Sequence, residues 1–238
     1  MTALGHPRVH HRLINSTNAR ARELALAGAG HGTLITADAQ TAGRGRAGRT
    51  WAAAPGEALL MSVVVRALEQ RHALLPLAVA VAISEACEQT AAVETQIKWP
   101  NDIWFEGRKL AGILIEGRPQ EGWAVVGIGL NVSTPREGFL AELRETATSL
   151  ALATGEPAPD RAIVLEALLA RLERWLEASA AETLGAWSSR DALEGRSISW
   201  ERGEGTACGV DEHGALLVQT AGGRVALDAG EVHLGKVA

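Results

Sequence analysis

The run Gly43-Arg44-Gly45-Arg46-Ala47-Gly48 limits the fold more than any other stretch of this chain. It is a literal G-x-G-x-x-G, the loop that in a doubly wound α/β fold joins a strand to the helix carrying a dinucleotide's phosphates. That fold needs the third glycine to open a long helix. Gly48 is followed instead by "RTWAAAPGEALL", where Pro55-Gly56 stops any helix within two turns and an apolar run begins. No acidic residue stands at the ribose-binding place after a second strand. A dinucleotide loop also has no use for Arg44, Arg46 and Arg49. The stretch is therefore a strand-to-strand connection with another purpose.

Glycines let backbone N–H groups come close to a ligand and let a loop move. Arginines offer forked donors matched to carboxylate and phosphate. Residues 43–51 are expected to be mobile when empty and ordered around a polyanion, with Trp51 presenting a flat face to a base. The plainer alternative is a surface loop paired with nearby carboxylates.

The rest of the chain reads as helices interleaved with short strands. Residues 8–14 are a short mixed segment. "STNARARELALAGA" (16–29) is a helix that Ser16 or Thr17 can cap. A strand lies near 32–37, and "ALLMSVVVR" (58–66) is a buried strand. "LPLAVAVAISEACEQTAA" (75–92) is a strong helix with Pro76 in its first turn. Strands follow around 95–99, 102–106, 109–116 and 123–132, separated by Gly, Asn and Pro turns. An amphipathic helix spans 159–180, and a shorter one near 182–190 carries Trp187. From about 194 short alternating strands suggest a small β-barrel, too small to stand alone comfortably. The expected fold class is α+β: a mixed, mostly antiparallel sheet with packed helices in a domain of residues 1–190, then an SH3-like barrel over 191–238. There is no internal repeat.

Net charge is −5, which predicts neither nucleic-acid nor membrane binding. Cys87 and Cys208 have no metal or disulfide spacing. The N-terminus lacks the apolar core of a secretory signal, and no apolar run approaches the ~20 residues that span a bilayer. A cytoplasmic setting is the default. Of 23 basic residues only Lys98, Lys109 and Lys236 are lysine. In so arginine-rich a chain, Lys98 and Lys109 hint at sites wanting a compact ammonium. Lys236 reads as a chance survivor.

Both informative lysines sit in one segment, "KWPNDIWFEGRKLAGILIE" (98–116), where Pro100-Asn101-Asp102 places polar groups at a turn. In "GIGLNV" (127–132), Asn131 breaks an apolar strand and needs partners if buried. Taken singly, these read as a turn, a core strand and a satisfied amide.

In the order GRGRxGRxW, KWPND, KLAGILIE, GIGxNV, they resemble the biotin–protein ligases of the BirA type. The likeness is dense over residues 10–135 and returns in the small β-region around "GVDEHGALLV". It implies a class II synthetase-like catalytic domain that joins biotin to ATP as biotinyl-5′-AMP. The biotinyl group then passes to a lysine of a biotin carboxyl carrier protein domain. It also implies roles. Ser16, Thr17, Asn18 and Gln40 would hold biotin's ureido ring. Arg44, Gly45 and Arg46 would bracket the biotin carboxylate and α-phosphate, and Lys109 would lie between them as the central electrostatic catalyst. Gly112 would admit the ligand. Arg46, Arg49, Trp51, Lys98, Asn101, Asp102 and Asn131 would serve ATP and its Mg²⁺, with the metal-ligating oxygens unassigned. Thr41, where a polar amide is common in the family, is given no role. The motifs begin by residue 16, so no DNA-binding domain or DNA binding is expected. A homodimer through an exposed sheet edge stays open. A lipoate–protein ligase and a non-catalytic biotin or nucleotide sensor are the competing readings.

Overall fold

β-Branched and apolar runs separated by turn residues give this chain its strands, and Ala/Leu-rich runs its helices. The computed structural model describes residues 4–228 and 230–235. Lys236 lies outside them. In chain order the main elements are β1 (Arg8–Ile14), α1 (Thr17–Leu26), β2 (Leu34–Gln40), β3 (Ala58–Arg66), α2 (Leu75–Ala91), β4 (Gln96–Lys98), β5 (Asp102–Phe105), β6 (Arg108–Arg118) and β7 (Trp123–Asn131). After these come α3 (Leu150–Thr154), α4 (Arg161–Leu176), α5 (Ala180–Ser188), β8 (Ser197–Trp200), β9 (Gly203–Val210), β10 (Leu216–Thr220), β11 (Gly223–Leu227) and β12 (His233–Leu234).

The first seven strands form one sheet in the order β1-β2-β3-β7-β6-β5-β4. Only β1 and β2 run parallel; the other neighbours are antiparallel, so the expected α+β class holds. β3 is buried along nearly its whole length because both faces of the sheet are covered. Leu59, Met61, Val63 and Val65 point into the large core with α2 and α4. Val64 points the other way, into a smaller cluster with Ala21 and Ala25 of α1. Alternation along one strand thus assigns Ser62 to the α1 face.

The helical stretch His72–Ala91 is long and apolar enough, by composition, to cross a bilayer, contrary to the sequence reading. Two-thirds of its most apolar window is buried instead in this core, where α4 packs on it.

Two expectations need correction. The mixed segment 8–14 is a strand, hidden because this edge strand is mostly exposed and lacks an apolar alternation. The helix expected over 159–180 ends at Leu176, and the shorter helix expected near 182–190 is α5, which starts at Ala180. The restart has a chemical cause: Ser179 accepts from the Glu182 N–H while the Glu182 carboxylate accepts from Ser179 N, a reciprocal capping box.

The C-terminal strands of the small β-region form a five-stranded antiparallel sheet, β11-β10-β9-β8-β12. It is docked rather than tethered. Ile198, Ala207, Leu216 and Val218 belong to the same core as α2, and Trp99 Nε1 donates to the Gly214 carbonyl at 3.0 Å. Cys87 and Cys208 are both free.

Candidate active site

On the α1 face, strands β3, β7, β6 and β5 floor a cleft of about 430 Å³. Glycines make the room. Gly112 and Gly129 pair across β6 and β7, as do Leu114 and Gly127. A Cβ on Gly129 would collide with the Trp51 ring, and one on Gly127 with Asn18 Oδ1. A Cβ on Gly112 would stand 3.0 Å from Trp51 and 3.3 Å from Lys109 Nζ.

Every site residue expected from the sequence lines this cleft: Ser16, Thr17, Asn18 and Gln40 at one end, Lys98, Asn101, Asp102, Lys109 and Asn131 at the other, with Arg44, Gly45, Arg46, Arg49, Trp51 and Gly112 between. Ser16 caps α1, accepting from Ala19 N, so its presence there has the structural reason expected of a cap as well. Asn131 is buried and donates to the Thr148 carbonyl at 2.9 Å.

The strap 43–51 closes on itself as a small hairpin. Trp51 N donates to the Gly43 carbonyl, Arg44 bridges Thr50, and Gly45 N donates to the Arg49 carbonyl at 2.6 Å. Ala47 takes a left-handed conformation at its tip, φ 53°. Its arginines do not repel one another unopposed. Arg44 Nη1 lies 3.1 Å from Glu116, Arg49 Nη1 lies 2.7 Å from Glu231, and Arg46 Nη1 donates to Asn101 Oδ1 at 3.2 Å. Carboxylate pairing, the plainer alternative for this loop, is therefore real, and the arginines that make it also line the cleft. The pairs at Arg44 and Arg49 are half-exposed, so they hold the strap only weakly against a ligand anion.

Lys109 Nζ donates to Asp102 Oδ1 at 2.6 Å and lies 5.9 Å from the centre of the Trp51 ring. Lys98 lies over Trp104 at 5.0 Å. Burial, partly offset by Asp102 and Glu231, holds the Lys98 ammonium below its ordinary range. Burial lowers the Arg46 guanidinium in the same way. Both groups are partly stripped of water, where an incoming anion gains most. The Trp51 indole N–H is buried without a hydrogen-bond partner among the described residues. Arginines, lysines and an unused donor around an apolar, glycine-floored slot make a receptor for a long acid and a polyphosphate.

This region matches the Biotin/lipoate A/B protein ligase family over residues 11–133, and residues 195–235 match the Biotin protein ligase C terminal domain. The chain belongs to the biotin protein ligase family. It is 35% identical to the bifunctional ligase/repressor BirA of Bacillus subtilis, over 98% of this chain and 75% of that protein. It is 36% identical to the biotin–[acetyl-CoA-carboxylase] ligase of Mycobacterium tuberculosis, over 91% of this chain and 85% of that one. Among solved structures it is similar to the biotin protein ligase of Aquifex aeolicus in complex with biotin and ATP, at 30% identity and a TM-score of 0.85, covering 98% of this chain and 100% of that one. As in that ligase family, catalytic sheet and C-terminal sheet occur together here.

The sequence reading missed Ser62, Glu116, Gly127, Gly129 and Glu231. Period-two alternation from Asn131 back through Gly129 to Gly127 was available as a signal for the two glycines. Ser62 was visible as the one hydroxyl inside "LLMSVVV". Nothing local marks Glu116 or Glu231 as partners of the strap.

Proposed function

We propose that this chain is an ATP-dependent, AMP-forming biotin–protein ligase that activates biotin as biotinyl-5′-AMP and transfers it to a lysine of a biotin carboxyl carrier protein domain. One observation carries the reading: residues drawn from four separate motifs, Lys109 and the strap arginines among them, line a single cleft. Residues 1–190 would form the catalytic part and 191–238 the small C-terminal part, in a cytoplasmic protein. The free edge of β1 is where pairing of two copies would be sought.

In the first step a biotin carboxylate oxygen attacks the α-phosphorus, and the bond to the bridging oxygen breaks to release pyrophosphate. Arg44 and Arg46 hold the two anions together, and Lys109 neutralises charge building on the α-phosphate oxygens. Ser16, Thr17, Asn18 and Gln40 grip the ring, and Gly45 and Gly112 permit close approach. Arg49 and Lys98 take the outer phosphates, while Trp51 and Asn131 flank the base. In the second step a carrier lysine's neutral amine attacks the acyl carbon, AMP leaves, and the nitrogen gives up a proton. Arg46 and Lys109 again face the developing oxyanion and the departing phosphate. The folded strap keeps water from the anhydride meanwhile.

A magnesium ion keeps several waters and binds through one or two carboxylates plus phosphate oxygens. Among the described residues no group of three metal-ligating side chains gathers. The single carboxylate of Asp102 at the phosphate end, beside Asn101, fits an ion held mainly by the nucleotide. Such an ion would supply further neutralisation of the triphosphate.

Exchange of labelled pyrophosphate into ATP tests the reading: it should require biotin and be unaffected by lipoate. Exchange with lipoate alone would overturn it in favour of a lipoate ligase. Transfer of labelled biotin to a carrier domain in a single turnover separates an enzyme from a sensor.

A further inference from the structure

Two residues without an assigned role, Ser62 and Glu116, join the Gln40 end of the cleft to the strap. Gln40 Oε1 accepts from Thr17 N at 2.8 Å and lies 3.2 Å from Thr17 Oγ1. Thr17 Oγ1 lies 2.9 Å from Ser62 Oγ, which lies 2.8 Å from Asn18 Oδ1. Asn18 Nδ2 donates to Glu116 Oε2 at 2.8 Å, and the same carboxylate receives Arg44 Nη1. The path runs from α1 through β3 and β6 to the strap. Ser62, Thr17 and Asn18 are all buried, so water does not bypass it. Gly127 keeps the place of Asn18 open.

The path is short of a proton. The contacts Thr17–Gln40, Ser62–Thr17 and Ser62–Asn18 involve two hydroxyls, and each hydroxyl carries one proton. Gln40 Oε1 and Asn18 Oδ1 have none to give. One of three buried contacts therefore always lacks its hydrogen, a costly arrangement in a low-dielectric interior. A ligand N–H donated to Gln40 Oε1 competes with the Thr17 hydroxyl for that oxygen, and so selects which contact goes without. The Thr17 proton is then free to turn to Ser62, and the Ser62 proton settles on Asn18. Asn18 is fixed against Glu116, and Glu116 is fixed as the seat of Arg44. Both Arg44 contacts use Nη1, so the rest of the guanidinium fork stays available to a ligand anion.

We propose that Ser62 and Glu116 are positioning residues: they form a hydrogen-bonded path by which ring occupancy at Gln40 and Thr17 steadies strap Arg44 before the acid and nucleotide react. The proposal rests on the biotin reading above. It gives the strap a response to the ring alone, without the carboxylate.

Biotin methyl ester provides that probe, since it keeps the ring and lacks the charge that Arg44 would bind. Trypsin cuts after arginine, so mass-mapped cleavage at Arg44, Arg46 and Arg49 reports strap opening. In the wild-type chain, saturating ester should slow strap cleavage about tenfold, in proportion to the closed population. In Glu116→Gln and Ser62→Ala, which should still bind the ester measurably by calorimetry, the ratio of cleavage with and without ester should fall below about twofold. A purely structural loss would raise cleavage equally in both states and leave that ratio unchanged. Ester-bound variants protected as well as the wild type would overturn the proposal. So would a wild-type strap indifferent to bound ester. Ester that binds none of the three proteins would instead bring down the biotin reading, and this proposal with it.

Discussion

At the scale of the residue, the chemistry turns on Lys109. Its ammonium is paired with Asp102 and about one-third exposed, so a ligand phosphate can take Asp102's place without unfolding anything. Lys109→Ala should leave the melting transition close to wild type and reduce biotin-dependent pyrophosphate exchange by a factor on the order of 100 or more, about 3 kcal/mol of transition-state stabilisation. Exchange near the wild-type rate would remove Lys109 from its assigned place. Gly129 makes a different kind of contribution, through the methyl it lacks. Gly129→Ala drives a Cβ into the Trp51 ring. With overpacking costing about 1–3 kcal/mol, ATP affinity should fall about tenfold or more while binding of biotin alone changes little. Calorimetry with each ligand checks the split, and an equal loss for both would show that the floor as a whole had moved.

At the scale of the element, the strap and α5 show local chemistry producing form. The strap's hairpin is closed by its own backbone and seated by three arginine contacts from three other parts of the chain. Helix α5 exists as a separate element because Ser179 and Glu182 cap each other, turning the chain so that Trp187 is fully buried. Ser179→Ala should destabilise the protein by about 1 kcal/mol in urea unfolding, the usual worth of an N-cap hydroxyl. The separate helix was expected from the sequence, and the capping pair, readable as Ser-x-x-Glu, sets the boundary that the Ala/Leu texture blurred. β1 was unreadable for another reason: an edge strand needs only a partner's backbone, which leaves no side-chain signature.

At the scale of the whole molecule, the C-terminal sheet is packed onto the cleft-bearing part of the chain. It shares a core with α2, and Glu231 reaches the strap from it. The joint runs through residues 190–192, whose backbone pairs with Ile97 beside Lys98. There Asp191 is held up at about 6, because burial disfavours its charge and Glu194 adds to this, with bonds from the Leu193 and Glu194 backbone only partly offsetting them. One of its oxygens is buried without a hydrogen-bond partner among the described residues. A carboxyl raised in the folded state is neutral in both states below its unfolded value near 3.8, costs stability increasingly as pH rises from there to about 6, and costs a constant amount above that. Asp191→Asn keeps the acceptor for Leu193 N and removes the charge. It should stabilise the protein by about 2 kcal/mol at pH 7.5 and by little at pH 4. A gain of equal size at both pH values would assign it to something other than ionisation.

The sequence by itself determined the α+β class, the order of most elements and the motif residues of the cleft. These follow from alternation, turn chemistry and short-range spacing, which act between neighbours in the chain. The tertiary structure alone decided that Glu116 meets Arg44, that Glu231 meets Arg49 and that Ser62 lies between Thr17 and Asn18. Those partners are 72, 182 and about 45 residues apart. Which surface carboxylate ends beside which arginine depends on strand order and register, and no local preference of the residues themselves encodes either.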